Sequence, residues 1–326
     1  MIEYNREKDY NEANNPNYLP PYRSEFPSIY KGVTVEIQIV DHCNLNCNCC
    51  NHFSPLADKW FMELESFETQ IKLLKEKIPT LKVLFILGGE PTLHPHLFEI
   101  CKSAREILGP EVFISVLSNG TIIKPIAEHK QEYLDLNIDF SFTSYPFKTK
   151  NEEIQSLAPL GHMNNTRILS RQTLVEPKGF YSKEDNFYNC RNHKLPCLTI
   201  KDSKLYICPF CAHVEHFCKK ANCNIKAIEG IDYLDLTKMT SLDELQTFCF
   251  TPKNYCSYCR QNVDAYAFDE SKRDLKEYTY GLRELYAKDY ERYESLINAG
   301  HENILWALDS EKNFAKIDYD FHYHTL

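Results

Sequence analysis

The sequence predicts an α/β fold built on parallel strands. Apolar runs at Val33 to Val40, Leu81 to Leu87 and Val112 to Leu117 each end in a polar loop, and helical signals follow each loop. Three such passages, joined by right-handed connections, describe a parallel framework rather than a sandwich of hairpins.

The first run alternates Val33, Val35 and Ile37 and closes with Ile39-Val40, as a strand does. Phe67, Ile71, Leu74 and Ile78 recur at spacings of three and four and predict the next helix, as do Leu97, Cys101, Ala104 and Leu108 after the second run. A short helix is expected at 125–131 and a strand within Leu134 to Thr143; residues 150–166 carry weak periodicity, with a further short strand at Arg167 to Leu169. Residues 1–28, rich in Asn, Pro and Tyr, read as an irregular leader, and residues 29–180 as the main framework.

Composition changes near residue 180. Nine of the 14 cysteines fall from Cys190 onward, including the compact pairs Cys208-x2-Cys211 and Cys256-x2-Cys259. Residues 181–265 are therefore expected to form a cysteine-rich module. Within it, Lys201-Asp202-Ser203-Lys204 reads as a hairpin turn, and Ser241 with Glu244 as a capping box opening a short helix. Residues 266–326 are expected to hold a last helix, with Leu275, Tyr278, Leu282 and Leu285 on one face, and a tail.

A chain of 326 residues can bury a substantial core. Its formal net charge of −9, without a basic block, argues against duplex nucleic acid or an anionic membrane as partner. No apolar run is long enough to span a bilayer and no export signal is evident. Cysteines clustered at metal-like spacings in such a chain point to a reduced, cytoplasmic setting.

The most informative stretch is Cys43-Asn-Leu-Asn-Cys47-Asn-Cys49-Cys50. Cys43, Cys47 and Cys50 in a C-x3-C-x2-C spacing can face one metal centre, yet three thiolates leave one corner of a [4Fe-4S] cube unfilled. Structural zinc, with His42, His52 or a distant cysteine as fourth ligand, is the competing reading. Gly88-Gly89-Glu90-Pro91 and Ser118-Asn119-Gly120 stand at the ends of the second and third strands. The glycines permit close backbone approach, and Glu90 can accept a hydrogen bond from an ammonium group.

These three signals, in this order, resemble the radical S-adenosylmethionine (radical SAM) superfamily over roughly residues 33 to 175. The resemblance implies a partial (β/α)6 barrel, open at the side, and a [4Fe-4S] cluster held by Cys43, Cys47 and Cys50. It also implies S-adenosylmethionine on the open corner, a reducing electron donor, and oxidoreductase chemistry begun by a 5′-deoxyadenosyl radical. The cofactor's methionine end would meet Gly88, Gly89 and Glu90, and its ribose Ser118 and Asn119. Ser141 and Thr143 can face the same pocket, and Arg167 or Arg171 can pair with the methionine carboxylate. The position before the third cysteine, usually apolar or aromatic in the family, is here Cys49.

The cysteine-rich segment resembles the twitch or SPASM extension of such enzymes, with an auxiliary [4Fe-4S] cluster expected on Cys197, Cys208, Cys256 and Cys259. Cys218 and Cys223 leave a second cluster or a zinc site open. The segment also resembles enzymes of surface-polysaccharide synthesis, which makes a carbohydrate or nucleotide-sugar the leading substrate. A peptide is the alternative, and a noncatalytic zinc-stabilised interaction protein a reading of a different class. Cys101, on an apolar helical stripe, is expected in the core, and His213 and His216 in structural roles.

Overall fold

The chain continues past its second and third strands in the alternation that the periodicities suggest. The computed structural model describes residues 29–47, 50–145, 149–166, 169–175, 179, 181–190, 197–267, 273, 275–279, 304–308 and 314–318. The expected leader at 1–28, Cys49, Arg167 and most of the expected C-terminal helix lie outside the described residues.

Strand β1 (Val33–Gln38) leads through the cysteine loop to helix α1 (Leu64–Lys77), β2 (Leu81–Leu87) and, after a 3-10 turn at Pro91–Leu93, α2 (Leu97–Leu108). Then come β3 (Phe113–Ser118), the short helices α3 (Lys124–Ala127) and α4 (Lys130–Asp135), β4 (Ile138–Ser144), α5 (Asn151–Ser156) and β5 (Gly161–Thr166). The strand expected from Leu134 begins only at Ile138, because α4 runs to Asp135 and Asn137 turns the chain with a left-handed φ of 52°.

The later elements are β6 (Leu169–Val175), α6 (Lys183–Asn189), β7 (Cys197–Lys201), β8 (Lys204–Tyr206) and α7 (Pro209–Ala221). They are followed by β9 (Tyr233–Asp235), α8 (Leu242–Phe250), β10 (Cys259–Ala267), α9 (Lys276–Thr279), and a hairpin of β11 (Ile304–Leu308) with β12 (Phe314–Asp318).

Eight strands form one mixed sheet in the order β5-β4-β3-β2-β1-β7-β8-β9. The six strands from β5 to β7 are parallel, and β8 and β9 add antiparallel strands. The order is that of an unclosed α/β barrel, its gap lying between β5 and the β7–β9 meander. The sixth parallel strand is β7, beside β1. The segment beginning at Leu169 joins a separate pair instead, antiparallel to β10.

One face of the sheet builds the main core. Val35, Ile37, Leu84, Ile86, Ile114, Val116, Phe140 and Phe142 are buried with Phe67, Ile71 and Leu74 of α1 and Ile100, Cys101 and Ala104 of α2. Each large side chain removed from water contributes about 1.5–3 kcal/mol. Cys101 is a core residue, its thiol pushed up in pKa by burial.

The other face is mixed. Parallel register aligns Glu36 with Phe85 and Thr199, Phe85 with Ser115, and Ser115 with Asp139. Val83, Phe85 and Leu87 make a small apolar patch there with Phe113, Leu117 and Cys197. This face is the interior of the open barrel.

The β7–β8 hairpin forms where Lys201-Asp202-Ser203-Lys204 predicts it, with Asp202 and Ser203 both at positive φ (50° and 60°), as a tight hairpin of this hand requires. At α8, Ser241 Oγ accepts the Glu244 N–H, while Glu244 reaches back to the Thr240 N–H. No helix among the described residues is long and apolar enough to cross a membrane.

Candidate functional site: a three-cysteine loop and a second set of thiols

The parallel ladder does not stop where β1 ends. Ile39 donates to the Leu87 carbonyl at 2.8 Å, Gly89 to that of Val40 at 2.6 Å and Glu90 to that of His42 at 3.2 Å. The Gly-Gly-Glu segment thus runs main chain against main chain along the entry to the cysteine loop. A Cβ on Gly88 would lie 2.5 Å from the Val40 oxygen, and one on Gly89 only 2.1 Å from the His42 oxygen. The close approach expected of these glycines is made, in this fold, by the backbone that delivers Cys43.

Glu90 is wholly buried. Its Oε1 accepts from Thr92 N–H (3.0 Å), Thr92 Oγ1 (2.7 Å) and Ser118 Oγ (2.8 Å), and its Oε2 accepts the Asn119 N–H at 2.8 Å. Burial raises its pKa, against the lowering effect of those hydrogen bonds. Ser118 Oγ also accepts the Gly120 N–H at 3.1 Å. Glu90 therefore clasps the loops after β2 and β3.

Asn119 turns its side chain toward the cysteine loop. Its Nδ2 lies 2.9 Å from Asn44 Oδ1 and 3.6 Å from Cys43 Sγ. Thr121 donates to Asn119 Oδ1 through both N–H (3.0 Å) and Oγ1 (2.6 Å), and that hydroxyl accepts from Asn44 Nδ2 at 2.6 Å. Leu45 donates its N–H to Cys43 Sγ at 3.3 Å. Asn44 and Thr121 were not among the candidate residues, though each adjoins one.

Cys43, Cys47 and Cys50 are half-buried thiols close enough to interact electrostatically. Burial pushes the Cys43 thiol far up, with the nearby Glu90 charge adding to the effect. Burial also acts against ionisation of Cys50, but hydrogen bonds and charge from His52 outweigh it and lower its pKa. His52 is itself disfavoured as a cation by burial, yet Cys50 and Glu36 raise it to about 9. Three soft donors, with N–H groups turned on one sulfur, fit a thiolate-bound metal cluster.

Ser141 lies on the barrel's inner face, buried, its Oγ without a hydrogen-bond partner among the described residues. Thr143, two residues along, is half-buried and offers its carbonyl to Thr149 Oγ1 at 3.4 Å. Deeper on the same face, Ser115 Oγ donates to Asp139 Oδ2 at 2.7 Å, and His162 Nδ1 lies 3.2 Å from Asp139 Oδ1. Thr199 Oγ1 donates to Glu36 Oε1 at 2.6 Å. None of Ser115, Asp139, His162, Glu36 or Thr199 was legible as a site residue, because only the parallel register brings them together.

A second set of thiols lines a cavity beyond the hairpin, walled by Cys190, Cys208, Cys211, Cys256, Cys259 and Lys253 among others. Cys259 feels the charges of Cys208, Cys190 and Cys256, and Cys208 those of Cys190 and Cys256, so these four converge. Burial raises Cys208 to about 12 and Cys256 to about 11, values that bound metal would override by displacing the protons. Burial lowers Lys253 to about 8.

Of the four cysteines expected to act together, Cys208, Cys256 and Cys259 line this cavity and Cys197 does not. It sits on the inner face of β7 with its Sγ 3.8 Å from Glu36 Oε2. Cys190, at the end of α6, lines the cavity. Cys218 and Cys223 stand elsewhere, their sulfurs 3.0 Å apart.

Residues 37–157 match the model of the Radical SAM superfamily, whose enzymes use a [4Fe-4S] cluster and S-adenosylmethionine. It is similar to GTP 3′,8-cyclase of Staphylococcus haemolyticus, with 28% identity over 109 residues, 32% of this chain and 31% of that protein. It is also similar to an S-adenosylmethionine-dependent nucleotide dehydratase of a Thermoplasmatales archaeon, with 30% identity over 31% of this chain and 34% of the relative. The chain thus spans about a third of the length of these curated relatives. Among solved structures, BtrN in complex with AdoMet and 2-DOIA is similar over 76% of this chain and 98% of its own, at 11% identity and a TM-score of 0.45.

Proposed function

We propose that this chain is a radical SAM enzyme that removes hydrogen from a carbohydrate or nucleotide-sugar. The observation that carries the reading is the loop of Cys43, Cys47 and Cys50, framed by Glu90 and Asn119 on the adjoining strand ends. Those cysteines would hold the cluster. When bound, the cluster and S-adenosylmethionine would supply a one-electron cleavage of the sulfonium and a radical able to take hydrogen from an unactivated carbon.

The protein's own part is positioning. Glu90 fixes the two loops that bracket the site, and its Oε2 keeps lone-pair capacity for an ammonium donor. Asn119 orients the loop around Cys43 through Asn44. Ser118 is committed to Glu90, so its contribution to a ribose would come through loop shape. Ser141 has a free hydroxyl for a ligand, with Thr143 beyond it, and Arg167 is retained as a candidate for the carboxylate.

The substrate class rests on the barrel's inner face. Glu36, Ser115, Asp139, His162 and Thr199 offer several hydrogen-bonding groups, as recognition of a many-hydroxyl molecule demands. The names of the two curated relatives, a GTP cyclase and a nucleotide dehydratase, support a nucleotide-bearing substrate. An auxiliary [4Fe-4S] cluster on Cys190, Cys208, Cys256 and Cys259, with four protein ligands, would serve electron transfer or structure rather than substrate coordination.

Anaerobic reconstitution with iron and sulfide tests the reading. The expected result is a reducible cluster whose electron paramagnetic resonance shifts on adding S-adenosylmethionine, with release of 5′-deoxyadenosine that Cys43→Ala abolishes. Zinc alone, or cleavage retained in that variant, overturns it. Deuterium transfer into 5′-deoxyadenosine from labelled nucleotide-sugars, against none from peptide pools, would support the substrate class. The reverse pattern would replace it with a peptide.

A further inference from the structure

We propose that Asp41, His213 and His216 form a mononuclear site for a divalent transition metal, zinc foremost, that joins the end of β1 to helix α7. The potential ligand atoms of the three side chains all lie within 4.8 Å of one another. His216 Nε2 is 3.4 Å from Asp41 Oδ2, and the rings of His213 and His216 lie nearly parallel with centroids 6.2 Å apart. A spacing of three residues puts both histidines on one face of α7, the face turned to the start of the cysteine loop.

The second observation is an unmet need. His213 is 1% exposed, and among the described residues neither of its ring nitrogens has a hydrogen-bond partner; His216 Nε2 has none there either. A buried polar group without a partner costs about 1–3 kcal/mol, and buried polar groups are rarely left so. Asp41 is already oriented. Gln38 Nε2 donates to its Oδ1 at 2.7 Å, leaving Oδ2 turned toward His216. A carboxylate fixed in this way by an outer amide is how metal ligands are commonly held.

Two imidazoles and one carboxylate suit zinc or ferrous iron and contain no thiolate, which separates this site chemically from both cysteine sets. Three protein ligands also leave a position for water or for an oxygen of a bound molecule. The ion would tie the framework to the cysteine-rich module at the point where the first cysteine loop begins. This inference does not depend on the radical chemistry.

The test uses the full chain with its iron-sulfur sites filled anaerobically, dialysed against a chelator and then against zinc. Zinc content and zinc K-edge X-ray absorption are then measured. The expected result is about one zinc per chain in a nitrogen and oxygen shell with imidazole scattering, the site composition of a protein-bound zinc without cysteine. His213→Gln and His216→Gln should lose that zinc while keeping their iron. Gln38→Ala should keep it with affinity weakened on the order of ten- to a hundredfold. No zinc retained by the unaltered protein, or a shell containing sulfur, overturns the proposal whether or not the variants fold. Undiminished zinc in folded His213→Gln and His216→Gln does the same.

Discussion

The Glu90 carboxylate accepts the backbone N–H of Asn119 at 2.8 Å, and Asn119 in turn brings its side chain within 3.6 Å of Cys43 Sγ. The same residue therefore sets the spacing between the loops after β2 and β3 and, through Asn119, the surroundings of the first cysteine.

Glu90→Gln should be costly for a reason that does not need a cofactor. Four donors converge on two carboxylate oxygens, and an amide must turn an NH2 group toward at least one of them. A loss of about 1–3 kcal/mol is expected from urea denaturation of the metal-free chain. Unchanged stability would show that the carboxylate is not the clasp described.

Gly89→Ala should impair cluster assembly. The added methyl would meet the His42 carbonyl at 2.1 Å, against backbone rather than a side chain that can swing away. The expected outcome is reduced iron in the three-cysteine site with far-ultraviolet circular dichroism retained. Full iron incorporation would contradict the tight fit between the two loops.

Cys190→Ala and Cys197→Ala separate the two possible auxiliary sets. Cys190 shares the cavity with Cys208, Cys256 and Cys259, whereas Cys197 is on the barrel's inner face. Reconstituted Cys190→Ala should lose about four irons per chain, a whole cubane, and Cys197→Ala none. The opposite result would restore Cys197 as ligand.

His213 predicts a pH dependence for the metal-free chain. Burial, with the charge of His52 adding to it, holds its pKa well below the ordinary 6.5. Above that pH both folded and unfolded states are neutral there, so the contribution is constant. Below it the unfolded chain binds the proton first, and stability falls as pH falls, by up to about 1.4 kcal/mol per pH unit from this group. Urea midpoints compared at about pH 7 and about pH 5.5 should fall more for the unaltered chain than for His213→Leu. Equal falls would rule the effect out.

The framework was legible because its signals are local. The stripes of α1 and α2 and the apolar runs of the first three strands each declare themselves within a dozen residues. Strand β5 did not, since Gly161-His162-Met163-Asn164-Asn165-Thr166 lacks alternation and pairs only because β4 offers an edge. Helix α7 carried a readable pattern, with Pro209 at its first turn and Phe210, Val214 and Phe217 buried at helical spacing. Its cysteines and histidines masked that pattern.

The site divides the same way. Cys43, Glu90 and Asn119 announce themselves by motif. By contrast, Cys190 and Cys197 are close neighbours in the sequence, and only the pleat of β7, which aligns Cys197 with Thr34 on the inner face, tells them apart.

Strand β1 is hydrogen-bonded along both sides, to β2 and to β7. A fragment ending near residue 180 would therefore strip one flank from the strand that carries the cysteine loop, leaving a bare row of amides and carbonyls open to pairing with other chains. The compact piece that superficially looks self-sufficient would be prone to clump, and the cysteine-rich half serves as its selvedge.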